Sequence, residues 1–181
     1  MRKYLVGAVA VVVLGAAAAG VMMVGGFVDV AADSPHGDVV FGLIEWARER
    51  AVEQQAASIV PPVDLSDTGR IRRGAGNYDA MCVDCHLKPG VEDSEIRKGL
   101  YPRPPNLARA PVEIDTSDAD AERFWTIKHG IKASGMASWS KAGLADGDIW
   151  DLVAFLAALP KLSADDYRVL VVSSEGHKHE H

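Results

Sequence analysis

Met81-Cys-Val-Asp-Cys-His-Leu87 contains the only two cysteines of a 181-residue chain, with a histidine directly behind the second. A Cys-x-x-Cys pair can serve a redox disulfide, half of a zinc site or covalent haem attachment. Only the last of these gives the adjoining histidine a task.

The residues around the pair discriminate among the three. A thioredoxin-like redox pair follows a strand and opens a helix in an α/β pattern. Here the pair follows a helix expected over Asp67–Met81, and no βαβ alternation surrounds it. A zinc site needs further ligands, and two cysteines cannot supply an all-cysteine set. His36, His129 and the histidines of the C-terminal tail are scattered along the chain. Haem attachment uses every member of the motif. The Cys82 and Cys85 thiols form thioethers to the two vinyl groups, and His86 offers a ring nitrogen to the iron. Covalent bonds hold a flat, apolar cofactor in a domain small enough to lose it otherwise.

Further out, the pattern reads as helices and loops. Val40, Phe41, Ile44, Ala47, Ala51 and Val52 recur every three or four residues over 38–58, an amphipathic helix free to dock on the domain or a partner. Trp46 reads as its packing anchor. Pro61-Pro62 ends this helix and begins a linker. Residues 87–111 read as loop, with prolines at 89, 102, 104, 105 and 111. A third helix is expected over Asp118–Gly130. A fourth runs over Asp148–Leu159 with Ile149, Leu152, Val153, Leu156 and Leu159 on its apolar side, and Pro160 stops it. Ser163 caps a last short helix, unless Val169–Val172 forms a strand.

The N-terminus has a different character. Arg2 and Lys3 precede an uncharged apolar run, Leu5–Val28, that spans about 36 Å as a helix, enough for a bilayer core. The charge rule leaves the basic end in the cytoplasm and the remainder outside. A signal peptide cleaved after Val30-Ala31-Ala32 is the rival reading. The expected organisation is a membrane anchor or uncleaved signal over 1–32, an amphipathic helix and linker over 33–66, a haem domain over 67–160, and an extension over 161–181. The formal net charge of −6 argues against nucleic acid as the main partner.

Gly74 lies eight residues before Cys82 and Tyr78 four before it, while Leu152 and Phe155 lie on the fourth helix. With the Cys-x-x-Cys-His motif, this spacing resembles the class I c-type cytochromes over about residues 67–160. The resemblance implies an all-α class I cytochrome c fold, here with an N-terminal transmembrane helix and an additional amphipathic helix. It implies that Gly74 and Tyr78 meet Leu152 and Phe155, a glycine allowing two helix backbones to cross closely.

The family usually adds a methionine sulfur on the far side of the haem. The matching stretch is Ser134-Gly-Met-Ala-Ser-Trp139, which makes Met136 the expected distal ligand and His129 its rival. Ala137 stands where many members have proline. Tyr101-Pro-Arg-Pro-Pro-Asn-Leu107 resembles the proline-rich haem-edge loop of membrane-associated and oxidase-linked members. In the family a proline carbonyl orients the proximal histidine. Pro89, Pro102, Pro104 and Pro105 all compete for that role here. Arg103, Lys128 and Trp139 are candidate haem-propionate contacts, and Trp125 is expected to pack near the cofactor.

The resemblance implies one covalently bound haem c and one-electron transfer without independent catalysis. The expected setting is the periplasmic side of a bacterial inner membrane, in a single-pass protein. Candidate partners are a quinol-oxidising complex, a dehydrogenase or a terminal oxidase. The alternatives are a haem subunit with a mainly structural role and a small haem peroxidase or sensor. The acidic stretch Glu113–Glu122 can steer a basic partner or simply be solvated. The tail His177, His179 and His181 forms no specific metal site by itself.

Overall fold

The structure, a computed structural model, describes residues 1–109 and 117–176. The chain divides into two units, Met1–Pro35 and His36–His181. The expectations for the histidine tail, and for Glu113 and Asp115 of the acidic stretch, lie outside the described residues.

The first unit is built on one helix, α1 (Arg2–Val24), which buries none of its residues. Its length and composition suit a membrane crossing and are compatible with a single-pass anchor. At 1.5 Å per residue its 23 residues reach about 35 Å.

The regular elements among the described residues of the second unit are helices joined by loops: α2 (Asp38–Ala56), α3 (Thr68–Met81), α4 (Val83–His86), α5 (Glu95–Gly99), α6 (Ser117–His129), α7 (Asp146–Ala158) and α8 (Ala164–Val172). Side-chain caps start several of them. Asp67 accepts from the Arg70 N–H at the head of α3, and Ser94 accepts from the Arg97 N–H at the head of α5. Ser163 and Asp166 form a reciprocal capping box on α8. The span 169–172 is therefore helix rather than strand, and the stretch read as loop contains α5.

The crossing of α3 and α7 makes the core. Gly74 is the point of closest approach. A Cβ there would lie 2.0 Å from the Asp151 carbonyl oxygen and 2.7 Å from Phe155 Cβ. Tyr78 and Phe155 meet one turn away with ring centroids 5.3 Å apart, and Leu152 is buried beside them. Ile149, Val153 and Leu159 complete the buried side of α7. From α6, Phe124 stacks on Trp150 at 4.1 Å.

An ionic cluster fastens the same crossing. The Asp151 carboxylate, only 3% exposed, accepts from Arg70 at 2.9 Å and from Arg73 Nε at 2.6 Å. Both arginines lie on α3, so the buried charge is paired across the interface and not stranded.

The α2 helix differs from its expected orientation. It packs on α6 and buries Phe41, Val52 and Ala56 at least in part, while Val40 and Ile44 remain about half exposed. Phe41 directs this choice, because its ring lies 6.1 Å from that of Tyr101. The Tyr101 hydroxyl also accepts from the His36 N–H at 3.0 Å, just before the helix begins. Trp46 is 61% exposed and is not a packing anchor within this unit.

Candidate functional site

The α3 helix ends at Met81 and delivers Cys82, Cys85 and His86 through the single turn α4. The His86 N–H donates to the Cys82 carbonyl at 2.8 Å, which closes the motif into that turn. Next, Leu87 leaves the helix with φ 65° and ψ 174°. That region is sparsely populated by non-glycine residues, costs roughly 1–3 kcal/mol, and is concentrated at functional sites. Here it turns the Leu87 carbonyl to accept from the buried Tyr78 hydroxyl at 2.6 Å. Burial raises the Tyr78 pKa and keeps that hydroxyl protonated as a donor.

Both cysteines are free thiols. Burial, followed by the neighbouring Cys85, pushes Cys82 up to about 12, and burial with Asp84 also raises Cys85. A dithiol redox catalyst needs the opposite shift to populate its thiolate. Among the described residues, no three His, Cys, Asp or Glu side chains are grouped to hold a metal ion.

Of the four competing prolines, Pro105 supplies the acceptor for His86. Its carbonyl lies 3.0 Å from Nδ1. A carbonyl only accepts, so Nδ1 carries the proton and Nε2 keeps its lone pair. Burial, then the Arg97 charge, lower the His86 pKa against the opposing bond to Pro105, which favours the neutral ring. The Leu107 N–H donates to the His86 carbonyl at 3.1 Å, so the proline segment is tied to the histidine at two points.

The α5 helix brackets this arrangement. Ser94 Oγ–H donates to the Asp84 carbonyl, between the two cysteines. Arg97 Nε–H donates to the Pro104 carbonyl at 2.8 Å, and its Nη1 donates to Asp93 Oδ1 at 3.1 Å. Arg103 pairs with the other Asp93 oxygen.

Met136 lies on a loop folded back onto the end of α6. Gly130 makes the turn with φ 66°, and a Cβ there would come within 2.6 Å of the Met136 oxygen. The hydroxyls of Ser138 and Ser140 both donate to the Lys128 carbonyl, at 2.9 and 2.8 Å. The Trp139 N–H donates to the Ile127 carbonyl at 3.2 Å. The small polar residues of this loop thus satisfy carbonyls that the helix end leaves open. Met136 and Trp139 pack against the core yet remain partly exposed, as do Met81, Cys82, Val83 and Leu107. Two thiols, an imidazole with a free Nε2 and this half-covered apolar surface fit a flat apolar group attached through sulfur.

The remaining predicted residues have other neighbours. Lys128 pairs with Asp146 at 2.7 Å and lies 5.3 Å from the Phe124 ring centroid. The Trp125 ring lies 5.0 Å from that of His129, and His129 is exposed. Arg97, Asp93 and Ser94 escaped the sequence reading. A signal was available: a serine cap and an arginine four residues after an aspartate, just before the proline-rich stretch.

The helical fold and the Cys-x-x-Cys-His turn are compatible with a c-type cytochrome, and the comparison with known families supports that class, whose domain implies a covalently bound haem c. A family model described as "Cytochrome C oxidase, cbb3-type, subunit III" matches residues 69–156, just under half of the chain. The chain carries a c-type cytochrome domain over that span, and a monohaem class I member is consistent with it. Neither the curated proteins nor the solved structures compared with the chain gave a match.

Proposed function

We propose that the chain is a membrane-anchored, monohaem electron carrier of the periplasm, with Cys82 and Cys85 as attachment thiols and His86 and Met136 as axial ligands. The observation that carries this reading is the His86–Pro105 bond. It leaves Nε2 as the free ring nitrogen directly behind two thiols. Cys82 and Cys85 would hold the haem as thioethers, the products of adding each S–H across one vinyl double bond, which requires no oxidant. When bound, the haem iron supplies one-electron exchange between Fe(II) and Fe(III). His86, fixed in one tautomer, would hold the iron through Nε2, and Met136 would offer a thioether that favours the reduced state relative to a second histidine. With His86 and Met136 both on the iron, no position would remain open for a small molecule, and the group would serve a carrier rather than a peroxidase or sensor.

The matched family is described as part of a cbb3-type oxidase, which supports redox partners in a respiratory complex. We take a terminal oxidase as the acceptor, and a quinol-oxidising complex or a dehydrogenase as the donor. The apolar α1 supports a single-pass anchor, with the haem domain on the periplasmic side by the charge rule.

Spectroscopy and mass analysis of the matured protein test the site. Acidic organic extraction should leave one haem mass on each chain. The oxidised wild type should show the weak long-wavelength band of methionine-ligated haem, and Met136→Ala should lose it and admit added ligands to the iron. Complete extraction of haem overturns the attachment. A Met136→Ala spectrum identical to wild type overturns the distal assignment.

A further inference from the structure

Prolines at 102, 104 and 105 deprive the segment facing His86 of backbone N–H donors. Pro104 and Pro105 offer no amide of their own, so at these two residues the backbone can be held only by its carbonyls. Both are. Pro105 accepts from His86, and the adjacent Pro104 accepts from Arg97. The Arg97 guanidinium is in turn fixed by Asp93, with the arginine side chain 14% exposed and the aspartate 21%. Its planar fork addresses both acceptors at once, a geometry that a lysine ammonium does not reproduce. The same short helix reaches the other end of the His86 bond, because Ser94 holds the Asp84 carbonyl inside the Cys-x-x-Cys turn.

We propose that Arg97 is a positioning residue for the proximal ligand: by holding the Pro104 carbonyl against Asp93, it aims the Pro105 carbonyl at His86 Nδ1 and so sets the donor strength of Nε2 toward the iron. The inference rests on the proposed haem site with His86 as a ligand. Its physical basis is that an outer hydrogen bond fixes the ring and raises the basicity of the ligating nitrogen. A looser Pro105 carbonyl weakens that donation. The ferric state then loses more stabilisation than the ferrous state, and the potential rises. Arg97→Lys isolates the effect, since the positive charge stays while the fork is lost.

The test uses the full-length, haem-loaded protein and two readouts: the midpoint potential, and hydrogen–deuterium exchange of the His86 Nδ1 proton followed by NMR. Arg97→Lys should raise the potential and speed the exchange by about tenfold or more, as expected for losing a charge-assisted hydrogen bond. A low-spin spectrum and normal covalent haem should persist. Arg97→Lys protein with normal haem and both readouts at wild-type values overturns the proposal while leaving the haem reading intact. Should Arg97→Lys fail to mature, Asp93→Asn decides in its place, because it removes the anchor and keeps the arginine. Because losing the Asp93 charge raises the potential by itself, the exchange decides for this variant: faster Nδ1 exchange supports the proposal, and exchange at the wild-type rate overturns it. Wild-type protein without covalent haem overturns both the proposal and the site on which it rests.

Discussion

A methyl group on Gly74 has no room, since it would lie 2.0 Å from a backbone oxygen of the opposing helix. Backbone cannot swing aside as a side-chain tip can, so Gly74→Ala forces α3 and α7 apart. We expect a loss of about 1–3 kcal/mol or more, read from denaturant unfolding of the matured protein. An unchanged midpoint would place this residue away from the crossing. The importance of Gly74 was legible through the resemblance, since its place before Cys82 and Tyr78 matches the glycine that meets the C-terminal helix in class I c-type cytochromes. Asp151 was not legible in that way. An acid set between Trp150 and Leu152 becomes intelligible only once Arg70 and Arg73 face it at 2.9 and 2.6 Å.

The C-terminal helix α8 is joined to the attachment region by one buried side chain. The Tyr167 hydroxyl donates to Asp79 at 2.8 Å, and its ring lies 6.5 Å from Tyr78 and 6.0 Å from Phe155. Burial, with Asp79 next, raises the Tyr167 pKa, so the phenol remains a donor. Lys88 adds to the cluster, at 3.4 Å from Asp79 and 5.7 Å from the Tyr167 ring centroid. The element expected as an appended extension is thus packed on α3. Tyr167→Phe keeps the ring and deletes one hydrogen bond. Asp79 retains Lys88 and some solvent, so no charge is stranded. The expected loss is about 0.5–1.5 kcal/mol in the same unfolding experiment. A loss of several kcal/mol would instead mean that the hydroxyl closes a larger network.

Across the whole molecule, acid and membrane give two further expectations. The Arg70 hydrogen bond lowers the Asp64 pKa, and the Ser163 bonds lower that of Asp166. Burial works against ionisation of Asp93, but Arg97, the Ser94 N–H and Arg103 together override it. Folding therefore depresses all three below the ordinary value of 3.8. The stability they contribute is fully present above that value and is lost as the pH falls through their lowered folded pKa values. Unfolding measured across a pH series should show no loss from these groups between about pH 7 and 5, and a decline below about pH 4. Asp93→Asn should flatten part of that decline. For the membrane, intact-mass analysis of the membrane fraction should find residues 1–32 on the haem-bearing chain. A wholly soluble protein beginning at Asp33 would reject the anchor and leave a carrier free to move between complexes.

The sequence by itself determined what contiguous residues encode: the thiol pair with its histidine, the helical periods and the long apolar start. Each is a matter of local spacing and chemistry, so neighbours along the chain suffice to specify it. Even the loop around Met136 was legible, because its small residues lie in one run. Tertiary structure decided what depends on how separate segments converge. Pro105 lies 19 positions from His86, and four prolines offered the same carbonyl; only the path of the loop selects one of them. The buried face of α2 was decided by Tyr101, far along the chain, which meets Phe41 and leaves Trp46 exposed. Arg97 acquires its role only when Asp93 and Pro104 converge on one guanidinium, since hydrogen bonds are directional and short and no pattern along the chain records where such a convergence falls.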